Sequence, residues 1–392
     1  MGALTSSVVE GLFHDDPEWM RARRRDAFEL YESLPMPSRQ DEEWRRTDLK
    51  GFELPEPAQA RRPMTELDGS VPEGVVFMPL ATAVREQPDL VESHLHSQLP
   101  AGRDKFAALH AALLGGGVLL HVPDGITVAE PLWARHRATS SLALPHTLVI
   151  AGRGAGVTLI DEYASEAGRV FASGSCEVFA ADGARVGYVS LQRWGRDTWQ
   201  FSDQRVRAGR DAAVRLVNTG LGARFSKHRV EASLVGQGAS AELKAVFFGS
   251  GEQLFDYHTL QDHQAPNTTS DLLFKGALRD RARSLYAGMI RIEPGARGSD
   301  AYQANRNLLL SDSAKADSIP MLEILNNDVR CTHGATVGPV DPEHLFYLES
   351  RGIPRRVAQR MVVQGFFQEV LDRLPDRRAR DLVEEELERR SA

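Results

Sequence analysis

The sequence predicts a mainly β protein in which a long central β region lies between two helical segments. Residues 114–338 contain short runs rich in β-branched and aromatic residues, and Gly, Asp, Asn or Pro separates these runs. No amphipathic helix of ordinary length interrupts them. Residues 1–113 and 339–392 instead place apolar residues at helical spacing. We therefore expect three regions with boundaries near residues 113 and 338.

A β region of this length must protect its sheet edges by closing into a barrel, packing as a sandwich or coiling as a solenoid. Several runs are apolar at successive positions, and tight glycine turns recur without the Asn-Gly signature of hairpins. These features favour a β-solenoid, although no strict sequence repeat accompanies them. The runs include GVLLHVP, HTLVIAG, RVGYVSL, AAVRLVN, AELKAVFF and RSLYAGMIRI.

In the N-terminal region, proline and glycine mark where the helices begin and end. Pro17 opens a helical segment that Pro35 terminates, because proline cannot continue the hydrogen-bond ladder of a helix. The Pro-rich residues 53–63 are typical of an exposed connector. A short apolar helix, KFAALHAALL over residues 105–114, stops at three consecutive glycines. This region is therefore expected to be mostly helical.

The C-terminal region predicts three helices. Asp341 is a helix cap followed by Pro342 at the first helical position, and Gly352 is a suitable terminating residue. The next helix starts at Pro354, and its apolar stripe can pack on the chain's own β region or on a partner subunit. The charged tail DRRARDLVEEELERR is expected to form an exposed helix. The stripe comprises Val357, Ala358, Met361, Val362, Phe366, Val370, Leu371 and Leu374.

Composition narrows the possible functions. The 392 residues carry a formal net charge of −7, which argues against nucleic-acid binding because phosphate recognition needs a basic surface. Two cysteines, Cys176 and Cys331, are too few for a disulfide framework and favour a reducing compartment. No apolar run is long enough to cross a membrane and no signal peptide opens the chain. A cytoplasmic location without membrane attachment is expected.

Several chemical motifs are missing or ambiguous. The chain has no phosphate-binding loop of the ATPase type, so it is not expected to bind a nucleotide. The glycine-rich residues 152–156 lie between two strand-like runs and are interpreted as a tight turn. The acidic pairs Asp256 with Asp262 and Asp161 with Glu162 could serve a carbohydrate-active β-helix enzyme. That enzyme is the alternative from another functional class, although surface carboxylates at such spacings are common.

The stretch Cys331-Thr332-His333 is the best candidate for metal chemistry. On an extended strand, residues two apart point to the same face and lie about 6.5–7 Å apart along it. A thiolate and an imidazole would then stand side by side, and both are known ligands of iron–sulfur centres. Two ligands do not complete a coordination sphere, so a second chain would have to supply the rest. An inert cysteine beside an incidental histidine remains the alternative.

Four stretches of the C-terminal third are distinctive: DYHTLQDHQAPNTTSDLLFKGAL (256–278), YAGMIRIEPGA (286–296), AYQANRNLLLSDSAKADSIPMLEILNNDVRCTHGATVG (301–338) and LFYLESRGI (345–353). They resemble the SufB/SufD family of the SUF iron–sulfur cluster assembly system. The similarity is dense over nearly a hundred residues there and weaker in residues 42–49 and 106–132, so that it covers most of the chain.

The resemblance implies a right-handed parallel β-helix flanked by helical segments. It also implies a non-catalytic subunit that pairs with a SufB-like scaffold and a SufC-like ABC ATPase, and that forms a homodimer when alone. Clusters assembled by that complex pass to apo iron–sulfur proteins. An iron–sulfur cluster or iron would be held transiently at the SufB-like interface, and the nucleotide would belong to the ATPase.

The resemblance assigns roles to particular residues. His333 and Cys331 become candidate interface ligands of iron or of the cluster. SufB members usually carry extra cysteines in the N-terminal half and a His-Glu-Ala stretch where this chain has His333-Gly334-Ala335. Both differences favour the SufD branch, with the SufB branch as the alternative. Helices of the C-terminal region would dock the ATPase through Leu345, Phe346, Tyr347, Leu348, Arg351, Gly352, Met361 and Phe366.

Overall fold

A computed structural model describes residues 4–54, 63–166 and 168–391 of the chain. The predicted connector at residues 53–63 falls mostly on residues 55–62, outside the described residues. The described part contains eight α-helices and twenty β-strands. The helices are α1 (Ser6–Leu12), α2 (Glu18–Ser33), α3 (Leu80–Glu86), α4 (Pro88–His94), α5 (Lys105–Leu113), α6 (Pro342–Ser350), α7 (Arg355–Leu371) and α8 (Arg377–Ser391), with 3-10 turns at Glu42–Trp44 and Ala101–Arg103.

The strands follow one another from residue 64 to residue 339. They are β1 (Met64–Asp68), β2 (Val76–Pro79), β3 (Gly116–Val122), β4 (Leu132–Arg137), β5 (Leu142–Ala143), β6 (Pro145–Ala151), β7 (Gly156–Ala164), β8 (Val170–Ala172), β9 (Ser175–Ala180), β10 (Arg185–Arg193), β11 (Thr198–Ala208), β12 (Ala213–Gly220), β13 (Phe225–Leu234), β14 (Ser240–Gly249), β15 (Leu254–His263), β16 (Thr269–Leu278), β17 (Arg283–Ile292), β18 (Ser299–Leu309), β19 (Lys315–Ile324) and β20 (Val329–Pro339).

The strands wind into a β-solenoid of about eight turns. From β9 onward, successive strands alternate between two parallel sheets, so each turn contributes one strand to each sheet. Sheet A runs in the order β1-β4-β7-β10-β12-β14-β16-β18-β20, and sheet B in the order β2-β3-β6-β9-β11-β13-β15-β17-β19. The fold class predicted from the sequence is confirmed, and the barrel and sandwich alternatives are excluded.

Side chains at matching positions of successive turns stack into columns inside the solenoid. One column of sheet A joins Tyr188 to Leu216, Leu243 and Leu272 through the strand register. All four side chains are buried in the central core. Because apolar residues stack on apolar residues from turn to turn, the hydrophobic effect fixes the register. The turns differ in length, which explains why no strict repeat is visible in the sequence.

The two ends of the solenoid differ. At the N-terminal end, β1 and β2 pair antiparallel to β4 and β3 and so terminate both sheets. Helix α3 packs on the last turn there through Leu80, Ala83 and Val84. At the C-terminal end, β20 is the border of sheet A and β19 the border of sheet B. In the described part of the chain, no further strand pairs with either of them.

Of the N-terminal helices, α2 and α5 lie close to where they were predicted. Helix α2 begins after Pro17, and α5 begins after Asp104, whose carboxylate accepts hydrogen bonds from the amides of Phe106 and Ala107 at 2.9 Å. Gly117 follows α5 with a φ of +114°, and a Cβ there would lie 1.9 Å from the carbonyl oxygen of His146. Only glycine therefore allows the chain to enter β3 this close to β6.

The C-terminal helices fold back on sheet A. The Asp341 carboxylate caps α6 by accepting from the Glu343 amide at 2.8 Å, and Gly352 ends it with a φ of +82°. Helix α7 buries Val370 and Leu371 of the predicted stripe against the outer face of sheet A, together with Val363 and Phe367, which the stripe did not include.

The prediction that the charged tail is an exposed helix is wrong. Helix α8 buries Ala379, Val383 and Leu387 in the same apolar cluster that receives α7. These three residues are spaced four apart, so they form a narrow stripe along one side of the helix. The charged residues occupy the remaining sides. In the described residues, no helix is both long and apolar enough to cross a membrane.

Candidate functional site at the open end of the solenoid

The C-terminal end of the solenoid, formed by β19 and β20, is called the open end. Each strand is hydrogen-bonded on one side only, to β17 and β18 respectively. Pro320, which has no amide hydrogen to donate, lies within β19, and a proline in a sheet is confined to such border strands. The open end therefore offers two unpaired strand borders and the last layer of the solenoid interior.

Cys331 and His333 both lie on β20 and occupy interior columns. The register pairs Cys331 with Ala301, and His333 with Gln303. Gln303 continues the column of Leu272, and Ala301 continues that of Ser270. Since paired positions of parallel strands share a face, both side chains lie on the interior face of the solenoid. No further turn covers them.

Both side chains are at least partly accessible to solvent, and both lack a hydrogen-bond or ion-pair partner among the described residues. His333 is exposed and Cys331 is half-buried beside Ile290, Ile292 and Ala301. Within residues that the structure describes, neither side chain makes a hydrogen bond or an ion pair. Burial, with a smaller contribution from the nearby Asp300 carboxylate, raises the pKa of Cys331. The sulfur is therefore a thiol at neutral pH, and a metal ion would have to displace its proton.

Exposed apolar side chains surround this pair. Leu322, Ile324 and Leu325 are 38%, 42% and 51% exposed, and Val337 of β20 is 42% exposed. The first two also occupy interior columns, because the register pairs them with the buried Ile290 and Ile292. Contiguous exposed apolar side chains mark an interaction surface on a soluble protein. The open end is therefore a part of the solenoid interior that no further turn of the described chain covers.

A second exposed apolar surface lies on α6 and α7. Phe346, Tyr347 and Met361 are 73%, 58% and 44% exposed, and the Arg351 guanidinium lies 5.2 Å from the Tyr347 ring centre. We call Phe346, Tyr347, Arg351, Gly352 and Met361 the α6 surface. Aromatic, methionine and arginine side chains are the types enriched in protein interfaces.

Three residues predicted to bind the ATPase instead pack within the chain. Leu345 is buried, and Leu348 is partly buried, in a small cluster with Val340 and Ala358. Phe366 packs against the cluster beneath α7, and its carbonyl oxygen accepts a hydrogen bond from Lys275 Nζ at 2.9 Å. Leu345 is therefore buried within the chain, whereas Leu348 and Phe366 remain partly exposed.

The acidic pairs considered for a carbohydrate-active enzyme do not provide free carboxylates. Asp161 is fully buried, and its Oδ2 accepts hydrogen bonds from Thr147, Tyr163 and Tyr188. Glu162 lies on the opposite face of β7 and pairs with Arg193. Asp256 and Asp262 also form ion pairs, Asp256 with Lys227 and Asp262 with Arg291. Neither pair has the free carboxylates that glycoside hydrolysis requires.

One buried cluster was missed from the sequence. His96, His146 and Glu177 each bring one potential ligand atom to a common position beneath the N-terminal region. The available signal was weak: His146 and Glu177 are the polar members of the otherwise apolar runs PHTLVIA and SCEVFA. The other cysteine, Cys176, is buried in the core, as expected.

A parallel β-solenoid with helices at both ends defines the structural class of the chain. The comparisons with known proteins specify its family. Residues 134–366 match the family model described as "SUF system FeS cluster assembly, SufBD core domain", and residues 61–133 match "SufBD protein N-terminal region". The chain belongs to the SufBD family of SUF-system iron–sulfur cluster assembly proteins.

Individual relatives agree over nearly the whole length. The chain is 31% identical to the iron–sulfur cluster assembly protein SufD of Bacillus subtilis, over 92% of each chain. It is 33% identical to an iron–sulfur cluster assembly SufBD family protein of Mycobacterium tuberculosis, covering 98% of this chain and 96% of that protein. A family protein of Staphylococcus haemolyticus is 26% identical over 95% of this chain and 90% of its own.

Proposed function

We propose that this chain is the SufD-type subunit of a cytoplasmic SUF assembly complex and pairs with a SufB-like scaffold through the open end. The observation that carries the proposal is that His333 is exposed and Cys331 half-buried at interior positions, near exposed apolar side chains. A second solenoid end would cover those side chains and pair with the strand borders of β19 and β20. The hydrophobic effect would drive the association.

Iron or a nascent cluster is the cargo of this interface. His333 would supply an imidazole nitrogen, and Cys331 a thiolate once its proton is displaced. Because iron–sulfur centres take four protein ligands, the SufB-like partner would provide the others. Covering by the partner would also exclude water and so protect the cluster until it passes to an apo-protein.

The α6 surface would dock a SufC-like ABC ATPase, which binds the nucleotide that this chain is not proposed to bind. Helix α6 begins at Pro342, three residues after β20 ends at Pro339. A displacement of α6 caused by nucleotide turnover would therefore act directly on the strand that carries His333. Without its partners, the chain would cover its open end with that of a second copy.

Co-expression with SufB-like and SufC-like proteins under anaerobic conditions tests the proposal. Leu322→Asp should abolish capture of the SufB-like protein because it places a charge in the apolar interface, while SufC-like protein is still bound. Phe346→Asp should have the opposite effect. Met36→Asp is the matched control, since Met36 is 45% exposed on neither surface, and it should retain both partners.

His333→Ala should retain both partners but lower the iron and sulfide content of the purified complex at least about tenfold. Thr332→Ala, a change of the neighbouring exposed residue, is its control. A chain that captures neither partner would refute the proposal. An intact His333→Ala complex with unchanged iron and sulfide would refute the role of His333.

A further inference from the structure

A buried histidine–glutamate cluster lies far from the open end, between sheet B and the N-terminal region. His146 is on β6 and Glu177 on β9, neighbouring strands of sheet B. His96 follows α4 in the segment that leads to the 3-10 turn at Ala101–Arg103. One nitrogen from each histidine and one carboxylate oxygen of Glu177 all lie within 4.8 Å of one another. Three separate parts of the chain thus converge on one point.

Two of the three side chains are shielded from solvent, and one buried nitrogen of the third has no partner. The side chains of His146 and Glu177 are 0% exposed. Nε2 of His96 is buried and has no hydrogen-bond partner among the described residues. A buried ring nitrogen without a partner costs free energy unless something binds it.

The backbone around His96 holds the cluster in place. The amides of His96 and Gln98 donate hydrogen bonds to the two carboxylate oxygens of Glu177, at 2.6 and 2.7 Å. His96 has a φ of +62°, in the left-handed region that non-glycine residues rarely adopt. Such a conformation is unfavourable and persists only where the surroundings impose it. The strain is local to a residue that carries a potential ligand.

A chain of hydrogen bonds starts at Nδ1 of His146, the ring nitrogen that does not face Glu177. This nitrogen lies 3.0 Å from Nε2 of His110, and Nδ1 of His110 lies 3.0 Å from the Ser173 hydroxyl oxygen. Metal-binding histidines nearly always donate their other N–H to such an acceptor, which fixes the tautomer. If His146 gives up the Nε2 proton to bind a metal, it can carry its proton on Nδ1 and donate to His110. His110 then donates from Nδ1 to Ser173, and both rings stay neutral.

We propose that His96, His146 and Glu177 bind a divalent first-row transition metal ion. Two imidazoles and one carboxylate suit Zn²⁺ or Fe²⁺ and disfavour Mg²⁺ and Ca²⁺, which take oxygen ligands. The ion replaces the 3.0 Å hydrogen bond between His146 Nε2 and Glu177. A cavity of about 20 Å³ lined by His96, His110, Ser173 and Asp203 can hold a water molecule beside the cluster.

This inference does not depend on the proposed function of the open end. The ion would join the segment around His96 to β6 and β9, and so fix the N-terminal region on the solenoid. Its site contains no sulfur, which separates it from the Cys331–His333 pair by chemistry as well as by position.

The test uses the full-length chain with Cys331→Ser and His333→Ala, which removes the ligands at the open end. This parent chain is loaded with Zn²⁺, or with Fe²⁺ under anaerobic conditions, freed of excess metal by gel filtration and assayed for bound metal. We expect one ion per chain. X-ray absorption of the bound metal should show imidazole nitrogen and oxygen ligands without sulfur.

His96→Asn in the same parent removes the imidazole but keeps the backbone amide, and asparagine tolerates a positive φ. Since loss of a supporting outer residue alone costs 10–100-fold in affinity, loss of this ligand should weaken metal binding at least about 100-fold. His14→Asn, a change of an exposed histidine, should have no effect. A parent that retains only trace metal, or ligands consisting of oxygen alone, would overturn the proposal. A folded His96→Asn chain that retains as much metal as the parent chain would also overturn it. If His96→Asn does not fold, the ligand types seen in the X-ray absorption spectrum of the parent chain decide whether the proposal holds.

Discussion

Gln303 and His333 are register partners on adjacent strands, yet Gln303 is fully buried whereas His333 is exposed. The two residues occupy the same interior column one turn apart. Their difference in burial therefore shows how far a side chain in this column becomes exposed when no further turn covers it.

The first prediction concerns the stability of that column. Gln303→Ala should lower the free energy of unfolding by about 1–3 kcal/mol, because it removes a buried side chain whose amide donates to the Gly288 carbonyl. His333→Ala should change it by no more than about 0.5 kcal/mol, since the imidazole makes no contact that the fold needs. Urea titrations of the isolated chain measure both. Equal losses would mean that His333 is a structural residue.

The second prediction concerns the attachment of α7 to sheet A. Lys275 is buried, and its ammonium group donates to the Phe366 carbonyl at 2.9 Å and to Glu369 at 2.7 Å. Lys275→Met keeps the aliphatic stem but removes both bonds. Hydrogen exchange of the α7 amides should accelerate by roughly tenfold or more, since a hydrogen bond to a charged group contributes about 1.5–3 kcal/mol.

Exchange in the central strands should be unaffected by Lys275→Met. Lys315→Met alters an exposed lysine on the border strand β19 and provides the control. Unchanged exchange in α7 would show that its apolar face alone holds the helix on the sheet.

The third prediction concerns a buried ion pair beneath the segment at residues 42–49. Oδ2 of Asp256 accepts hydrogen bonds from Lys227 at 2.7 Å and from Thr47 at 2.6 Å. Burial would raise the pKa of Asp256, but the Lys227 ammonium and the hydrogen bonds outweigh burial and lower that pKa. The pair should therefore stabilise the fold at neutral pH, and its contribution should be lost as the pH falls below about 4, the ordinary pKa of an aspartate.

Lys227→Met would leave the Asp256 charge buried without its cation, at a cost of about 3–5 kcal/mol. Adding Asp256→Asn removes the unpaired charge and should restore much of the loss. A double-mutant cycle followed by urea unfolding measures the coupling of the two residues. A double variant no more stable than Lys227→Met would contradict this explanation.

The fourth prediction concerns the free energy of unfolding at acidic pH. Burial lowers the pKa of His228 and of His263 to about 4, whereas the unfolded chain takes up these protons near pH 6.5. Between these values the unfolded state binds more protons, so the free energy of unfolding should fall as the pH is lowered from about 6.5 to 4. Each histidine contributes up to about 1.4 kcal/mol per pH unit.

His228→Phe should make this pH dependence shallower, because the ring stacks on Tyr257 and a phenyl group can replace it. His344→Phe, at an exposed position of α6, should leave the slope unchanged. Unfolding measured by fluorescence at several pH values compares the two variants. Parallel curves for wild type and His228→Phe would contradict the assignment.

The sequence identified those features that depend on neighbouring residues. Pro17, Asp341 and Gly352 act within one helical turn, and so these helix ends were predictable. The Cys331-Thr332-His333 stretch was recognisable because two residues of one strand define a common face. The length of the β region left a barrel, a sandwich or a solenoid open, and successive apolar positions with glycine turns that lack the hairpin signature favoured the solenoid.

Features that depend on the stacking of turns could not be read from the sequence. Asp161, for example, accepts a hydrogen bond from Tyr188, which lies on the adjacent strand of sheet A in the next turn. His96, His146 and Glu177 are separated by tens of residues and meet only through the register of β6 with β9. The buried side of α8 was overlooked because three small or aliphatic residues are outnumbered by charges.

The short antiparallel strands β1 and β2 give the solenoid a direction. Parallel stacking can be continued beyond β19 and β20 but not beyond the N-terminal turn. If two chains join by their uncovered ends, neither has another such end left to recruit a third. Association by this route stops at a pair, so the molecule can complete its sheets with another chain without growing into a fibre.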